Sequence, residues 1–514
     1  MKINNLIIGG GITGLYLAYK SNINNTVIIE KSYRLGGRIH TYDKENMKYD
    51  TGAGRFSSNQ KLIIKLIKEL KLDNDLIKID KKKHYFLNNK YYKNEKDILD
   101  DYNIKNYSGI DNLWKYVLKH EKSKDIKYLQ NINLIAHLHN ILNSNEVDLL
   151  LDTFGYISEA LELNAYNAIN TLRRDFDIEK NDFYFLLNGL SQIVNKLEVI
   201  LQERGVKILK GYYLKDFNKT TKNAIIVSDD LNENNYKYKN IFFTICRKDY
   251  FNIPFFRKKE YMNVLNSVTD GRLMRIFAKY PLNKNGKAWF NNLPKLITDN
   301  PILFIIPMNP NSGLIQISYS DAYFAEYWNN MNTEEEIIEN LNKYLNKIYP
   351  DKKIPNPEFI TLHYWPSGVH YWKPKFNSLN IRDQINDIFN KDNIYILGET
   401  YSNNQAWIEG ALDTVENYLK KNVQKAGSKY YSIEEVKKHN TVDSLWTIIG
   451  EKKYEGEYFV YDLTNWMNNH PGGKFNIMKI GGQDGTDLFF GNVAHSGKAI
   501  EVLKKFKIGV LKKK

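Results

Sequence analysis

The apolar positions open with a short run, Leu6 to Ile8, that has the length of a buried strand, and a helical pattern through Leu15, Leu17 and Ala18 follows it. A second apolar run, Val27 to Ile29, ends on Glu30. Leu62, Ile63, Leu66, Ile67 and Leu70 follow helical spacing, and Lys81 to Lys93 reads as short strands. From Asp111 to Asn170 the pattern is mostly helical, and Ile193, Leu197 and Leu201 mark a further helix. Val206–Ile208 and Leu214–Phe217 are strands behind that helix, and Ile241–Ile245 returns the chain to the first sheet. Val268–Tyr280 and Leu303–Ser320 read as sheet, with a helix over Glu334–Ile348. A strand from Asn393 ends in Gly398-Glu399, and Trp407 opens a helix that ends near Lys421. Lys420 to Lys429, with Ala426-Gly427-Ser428, reads as a polar linker to a separate domain.

Composition narrows the classes. A chain of 514 residues makes about three domain-sized units, and 42% hydrophobic residues can fill real cores. The net charge is +14, but the lysines are dispersed among acids and asparagines, which fits a solvated surface better than a nucleic-acid footprint. Cys246 is the only cysteine, so no intrachain disulfide is possible. No apolar stretch nears the roughly 20 residues that span a bilayer. The apolar N-terminus reads as strand and helix rather than as a signal peptide, so a cytoplasmic location is expected.

Between the first strand and helix lies Gly9-x-Gly11-x-x-Gly14. In a dinucleotide turn Gly9 permits the sharp bend, Gly11 lets the backbone approach a pyrophosphate, and Gly14 lets the helix pack on the strand. The helix N-terminus favours a phosphate there, and Glu30 sits where a carboxylate takes ribose hydroxyls. The spacing alone also allows a glycine-rich turn without ligand. Arg34-Leu35-Gly36-Gly37-Arg38 follows, then Asp50-Thr51-Gly52-Ala53-Gly54-Arg55.

On these residues the chain resembles the flavin amine oxidase family, which includes polyamine oxidases, protoporphyrinogen oxidases and carotenoid-type desaturases. Arg34, Gly36, Gly37 and Arg38 match its R-x-G-G-R, and Asp50, Gly52, Gly54 and Arg55 match the following turn beside the flavin. The resemblance implies FAD rather than NAD. It implies that backbone groups around Leu214 hold the adenine end, that Glu399 contacts the ribityl chain, and that Gly410-Ala411 turn a helix N-terminus toward the ring. Asn188-Gly189 stands where the family has a double glycine, and Cys246 stands near the place of a usual proline. Trp407 takes one position of the aromatic pair that stands over the flavin in amine oxidases, and Tyr371 or His370 is the candidate partner. By alignment Arg275 takes the place of a lysine that assists reaction with dioxygen. No cysteine lies near the closing motif, so FAD is expected to be noncovalent.

The C-terminal segment carries His470-Pro471-Gly472-Gly473 and His495-Ser496. From Tyr430 to Leu511 it resembles cytochrome b5, which implies haem b held by His470 and His495. Two axial imidazoles leave no position for dioxygen, so such a haem transfers electrons. Leu463, Trp466, Phe475, Ile477 and Phe489 are the expected apolar walls. Fourteen lysines against ten acids from Ser428 to Lys514 give this segment +4, which favours the tethered flavin domain over an external basic partner.

The expected architecture is an α/β Rossmann-like FAD-binding domain (1–85, 185–250 and 385–424) with an inserted α+β substrate domain (86–184 and 251–384). A small α+β cytochrome b5-like domain (430–514) follows. The expected function is FAD-dependent oxidation of an amine or polyamine with intramolecular electron transfer to haem. The alternatives are a desaturase or protoporphyrinogen-type oxidase on an apolar substrate, and a nonenzymatic electron-transfer protein. Neither a nucleic-acid partner nor an integral membrane segment is expected.

Overall fold

The computed structural model describes all residues except 22–24, 45, 121–124, 176–180, 428–429, 453–454, 492–494, 496 and 513–514. The chain divides into two compact units, Met1–Tyr19 with Asn25–Asp413, and a second built on Thr414–Lys514.

In the first unit the apolar runs become strands of one five-stranded sheet drawn from separated parts of the chain. Its order is Lys207–Lys210, Thr26–Glu30, Asn5–Ile8, Asn240–Phe243, Ile394–Ile396. All four pairings are parallel. Parallel strands are covered on both faces, which is why they read as unbroken apolar runs without alternation. Asn5–Ile8 is buried at every position. Its C-terminal end feeds the helix Ile12–Lys20 through the glycine turn.

The larger sheet has seven strands in the order Phe359–Trp372, Val268–Lys279, Leu314–Asp321, Phe304–Asn309, Lys295–Thr298, Lys83–Leu87, Lys90–Tyr92. The expected strand segment Leu303–Ser320 is a hairpin. Gly313 makes its turn at φ +78°, and a Cβ there would lie 2.1 Å from the Tyr280 carbonyl oxygen. Between Gly271 and Leu273 the ladder with Phe359–Trp372 shifts register, so Pro366–Gly368 stand out from the strand. The helices expected over Lys61–Glu69, Ser191–Glu203 and Glu334–Ile348 are present, as is the helical region between Ile110 and Asp175.

The closing helix runs Ile408–Gly427, beyond its expected end near Lys421. Lys420 to Ala426 contains neither proline nor glycine, so nothing in the backbone stops the helix before Gly427. Ser428 and Lys429 of the expected linker lie outside the described residues.

The second unit is a five-stranded sheet in the order Tyr430–Tyr431, Lys507–Leu511, Glu455–Asp462, Ser444–Lys452, Asn440–Thr441, with short helices. Leu445, Leu463, Ile477 and Phe489 form its core. Among the described residues no helix is long and apolar enough to cross a membrane.

Candidate functional site

A cavity of about 730 Å³ in the first unit collects residues from widely separated segments. Gly9, Gly11, Glu30, Gly36, Gly37, Arg38, Leu214, Arg275, Glu399, Trp407 and Ala411 all line it. Gly14, Arg34, Gly54, Arg55, Tyr371 and Gly410 do not, and most of these have evident local work in the fold.

The turn explains the first glycines. Gly9 has φ +106°, a conformation that side chains other than glycine's rarely adopt. A Cβ on Gly14 would lie 2.2 Å from the Gly9 carbonyl oxygen, so the helix can pack on the turn only with glycine there. A Cβ on Gly11 would meet nothing within 4 Å, so this backbone faces open cavity. Glu30 closes the turn by accepting the Gly10 and Ser32 N–H groups, each at 2.8 Å. Burial pushes its carboxyl up, and those two N–H groups oppose the shift.

The second glycine loop lies on the first. The Gly36 N–H donates to the Gly10 carbonyl at 2.9 Å, and a Cβ on Gly37 would sit 3.4 Å from Gly11 Cα. Arg34 staples this loop from behind, donating to the carbonyls of Leu35, Ile39 and Gly37 at 3.1, 3.0 and 2.8 Å. Gly54 lets Arg275 approach, since a Cβ there would be 3.2 Å from its Nη1. Gly410 packs against the loop before it, where a Cβ would be 2.0 Å from the Asn404 carbonyl oxygen. Glu409 accepts the Leu62 and Ile63 N–H groups at 2.9 and 3.0 Å. It thereby caps the helix Lys61–Glu69, whose own N-cap residue makes no side-chain bond.

A buried charge network borders the cavity. Arg38 Nη1 lies 2.7 Å from Glu399 Oε2, and the same oxygen is 2.7 Å from His370 Nδ1. His370 Nε2 is 3.3 Å from Asp270 Oδ1, and Asp270 Oδ2 pairs with Arg247 at 2.9 Å. Burial alone would raise the Glu399 carboxyl, but Arg38 and His370 hold it well below the usual carboxylate range. Asp270 is brought to about 2 by His370 and Arg247 against the effect of burial. Burial would lower His370, but Glu399 and Asp270 reverse this and raise it.

Trp407 stands on the cavity wall and stacks with Phe183 at 6.2 Å. Tyr371, expected as its partner, packs in the core instead. It is 3% exposed, its hydroxyl is 3.3 Å from Ser158 Oγ, and Gly271 leaves space for its ring. His370 is fully buried in the charge network. The aromatic side chains that line the cavity with Trp407 are Tyr212, Tyr213, Tyr319 and Trp365. The register shift opposite Pro366–Gly368 breaks strand alternation, so parity along the sequence could not show which rings of that stretch face the cavity. Arg275 donates to the Asp50 carbonyl at 3.0 Å and lies 4.7 Å over the Tyr319 ring. Cys246 also lines the cavity, and burial pushes its thiol up.

In the second unit His470 and His495 face each other with ring centroids 6.3 Å apart. A metal–nitrogen bond of about 2 Å on each side, plus the two ring radii, would fit that gap. Each Nδ1 is near a backbone carbonyl, Gly473 at 3.4 Å for His470 and Phe489 at 2.9 Å for His495. Such bonds fix the tautomer and would leave Nε2 of each ring available to a metal. A Cβ on Gly472 would lie 2.9 Å from His470 Cε1, so glycine there gives the ring its room. Leu463, Ile477 and Phe489 are buried, as expected of walls, and Trp466 is partly buried. Phe475 is 84% exposed and corrects that expectation. It stands at the start of the short helix Lys474–Met478, where Ile477 is the buried residue.

Residues 12–229 match the family model "Flavin containing amine oxidoreductase", and residues 432–512 match "Cytochrome b5-like Heme/Steroid binding domain". The first family implies FAD and the second haem. The second segment is 41% identical over 81 residues to cytochrome b5 of Saccharomyces cerevisiae, covering 16% of this chain and 61% of that protein. It is 40% identical over 99 residues to nitrate reductase [NADH] 1 of Arabidopsis thaliana, covering 18% of this chain and 10% of that one. The chain thus spans less than two thirds of these relatives. A crystal structure described as a putative protoporphyrinogen oxidase from Exiguobacterium sp. 255-15 superposes with TM-score 0.59 at 14% identity. That superposition covers 82% of this chain and 98% of the other, and at this identity it establishes a shared fold.

Proposed function

We propose that this chain is an FAD-dependent oxidoreductase whose substrate is oxidised beside Trp407 and whose haem domain carries the electrons onward. The observation that carries the reading is the single cavity lined by the glycine turn, Glu30, the Gly36-Gly37 loop, Glu399 and Ala411. The five parallel strands, with the glycine turn at the C-terminal end of the first, support a Rossmann-like FAD domain made of 1–85, 185–250 and 385–424. Residues 86–184 and 251–384 are then the substrate domain, and 430–514 the haem domain.

In this reading Gly9 and Gly11 bring backbone N–H groups of the helix Ile12–Lys20 to the pyrophosphate. Glu30 takes the ribose hydroxyls, and the backbone at Leu214 borders the adenine. The N-terminus of the helix Ile408–Gly427, at Ala411, faces the ring. FAD supplies the hydride acceptor; the protein orients the substrate and excludes water. Trp407 and Tyr319 are the apolar walls for the substrate, and Arg275 is the cation beside them.

An amine or polyamine calls for acidic walls. Of the carboxylates that line this cavity, Glu30 and Asp249 lie together at the glycine-turn end and Glu399 is already paired with Arg38 and His370, whereas Leu273, Tyr319, Trp365 and Trp407 are apolar or aromatic and Arg275 is a cation. The lining therefore favours an apolar substrate, as in a desaturase or protoporphyrinogen-type oxidation, over the amine. Anaerobic bleaching of the purified flavoprotein against amines, porphyrinogens and polyenes tests the choice. The expected result is bleaching by an apolar compound and none by spermine or benzylamine. Acid precipitation should release the flavin; flavin left in the precipitate would overturn noncovalent binding.

A further inference from the structure

The charge network beside the cavity has His370 as its hub. The ring is fully buried, and its Nδ1 lies 2.7 Å from Glu399 Oε2. Its Nε2 sits between a donor and an acceptor at equal distance. The Arg247 backbone N–H points to it at 3.3 Å, and Asp270 Oδ1 is 3.3 Å away. A neutral ring protonated on Nδ1 donates to Glu399 and accepts the Arg247 N–H. That state leaves Asp270 Oδ1 buried without a hydrogen bond. A charged ring donates from Nε2 to Asp270 Oδ1 instead and leaves the Arg247 N–H without its acceptor. The two protonation states therefore call for two hydrogen-bond patterns around one side chain.

Both arms of the hub end on the cavity wall. Glu399 Oε2 holds Arg38, which lines the cavity. Glu399 Oε1 accepts the N–H groups of His370 at 3.1 Å and of Ala406 at 2.7 Å. Ala406 precedes Trp407, lines the cavity and has φ +68°, a left-handed conformation rare for alanine. On the other arm Asp270 Oδ2 pairs with Arg247 at 2.9 Å, and Arg247 stands between Cys246 and Lys248, which both line the cavity. Arg38 and Arg247 balance Glu399 and Asp270. The group is therefore neutral around a neutral ring and carries one positive charge around an imidazolium. Burial would lower His370, but Glu399 and Asp270 raise it. A network needed only for packing would close as two ion pairs with an apolar side chain between them, because each buried charge adds a desolvation cost.

We propose that His370 is a positioning residue whose charged state tightens this cavity on a dinucleotide pyrophosphate, through Glu399 and Arg38 on one side and Asp270 and Arg247 on the other. The proposal rests on the FAD reading and adds a proton to it. A pyrophosphate is an anion, so the added positive charge favours it, and bound cofactor favours the charged ring in return. Affinity for the cofactor therefore falls as pH rises through the His370 titration. The charged and titratable groups that face His370 from the packed segments are Arg38, Arg247, Asp249, Asp270 and Glu399. Cys246 and Tyr401 act on the same network from one residue farther away. Burial pushes both up from ordinary values of 9.0 and 10.0, so they stay protonated between pH 6 and pH 8.5.

The test is the rate of flavin release from the full-length holoprotein between pH 6 and pH 8.5, read as flavin fluorescence recovered after dilution. Wild type should release flavin about tenfold or more faster at pH 8.5 than at pH 6, tenfold being one pKa unit of coupling. His370→Asn should release at the fast rate at both ends, with no pH dependence. Asp270→Asn keeps the imidazole and removes one of the carboxylates that favour its charge, so its release should become fast at a lower pH than in wild type. Loss of packing would not displace a pH midpoint, and this variant serves where His370→Asn does not fold. A wild-type rate that is flat across the range would overturn the proposal, with no variant needed. So would an Asp270→Asn profile with the wild-type midpoint, or a pH dependence that disappears in Cys246→Ser. Protein purified without flavin refutes the FAD reading, whereas flavin-loaded protein with a flat profile refutes only the role of His370.

Discussion

Arg38 and Glu399 lie 361 residues apart in the sequence and meet as an ion pair at 2.7 Å on the wall of the cavity. The carboxylate is 4% exposed and the guanidinium 28%. Removing one partner of a buried pair strands the other, and the partial exposure of Arg38 moderates the cost to about 2–4 kcal/mol. Glu399→Gln, which keeps the shape, is therefore expected to lower stability by that amount in urea unfolding at pH 7. Glu399 is depressed in the fold. Its contribution is present above the unfolded carboxyl pKa of about 4.3 and disappears as pH falls through the lower folded value. An unchanged midpoint at pH 7 would mean the pair contributes nothing.

His370 has the opposite sign. Its pKa is raised in the fold by Glu399 and Asp270 against burial. Its contribution is fully present below the unfolded value of about 6.5 and is lost as pH rises through the folded value. The stability gap between wild type and His370→Asn should therefore be wider at pH 6 than at pH 9. Denaturant curves at both pH values measure it, and a gap that does not narrow at pH 9 contradicts the assignment.

Two glycines of the first turn separate folding from binding. Gly14→Ala puts a Cβ 2.2 Å from a carbonyl oxygen and should cost about 1–3 kcal/mol by overpacking. Gly11→Ala meets no protein atom within 4 Å, so stability should change by less than about 0.5 kcal/mol while flavin content falls sharply. Thermal melts of the flavin-free protein and acid-released flavin distinguish them. A Gly11→Ala protein that holds flavin normally would remove the phosphate cradle from the proposal.

His470→Ala and His495→Ala should each abolish the six-coordinate haem spectrum and leave flavin content unchanged. The two rings face each other at 6.3 Å, so each variant removes one of the two imidazoles that would hold the haem. Absorbance in the Soret and flavin bands reads both cofactors in one sample. Loss of flavin from either variant would argue against independently folded units.

Arg275 is held by the Asp50 carbonyl at 3.0 Å and by the Tyr319 face. A fixed guanidinium cannot release a proton as an amine can, so dioxygen should reoxidise the flavin slowly. Haem tethered to the same chain, at an effective concentration on the order of millimolar, should be the faster acceptor. Anaerobic stopped-flow should show flavin reduction before haem reduction, with a haem rate independent of protein concentration. Arg275→Lys should speed reoxidation in air. A haem rate proportional to protein concentration would exclude transfer within one molecule.

Local spacing alone determined a good deal of this protein. The Gly9–Gly14 turn, the acid at Glu30, the parallel-strand runs and the His470/His495 pair were legible because each depends on backbone conformation or on contacts within a short segment. The helix Glu334–Ile348 was legible for the same reason: its apolar stripe repeats at helical spacing. Tertiary structure decided the rest. Tyr371 and Trp365 stand on one strand, yet one fills the core and the other lines the cavity, because an irregular ladder with a partner strand sets which way each points. Arg34 and Arg38 look alike in the motif, but one staples its own loop and the other reaches a glutamate from the far end of the chain.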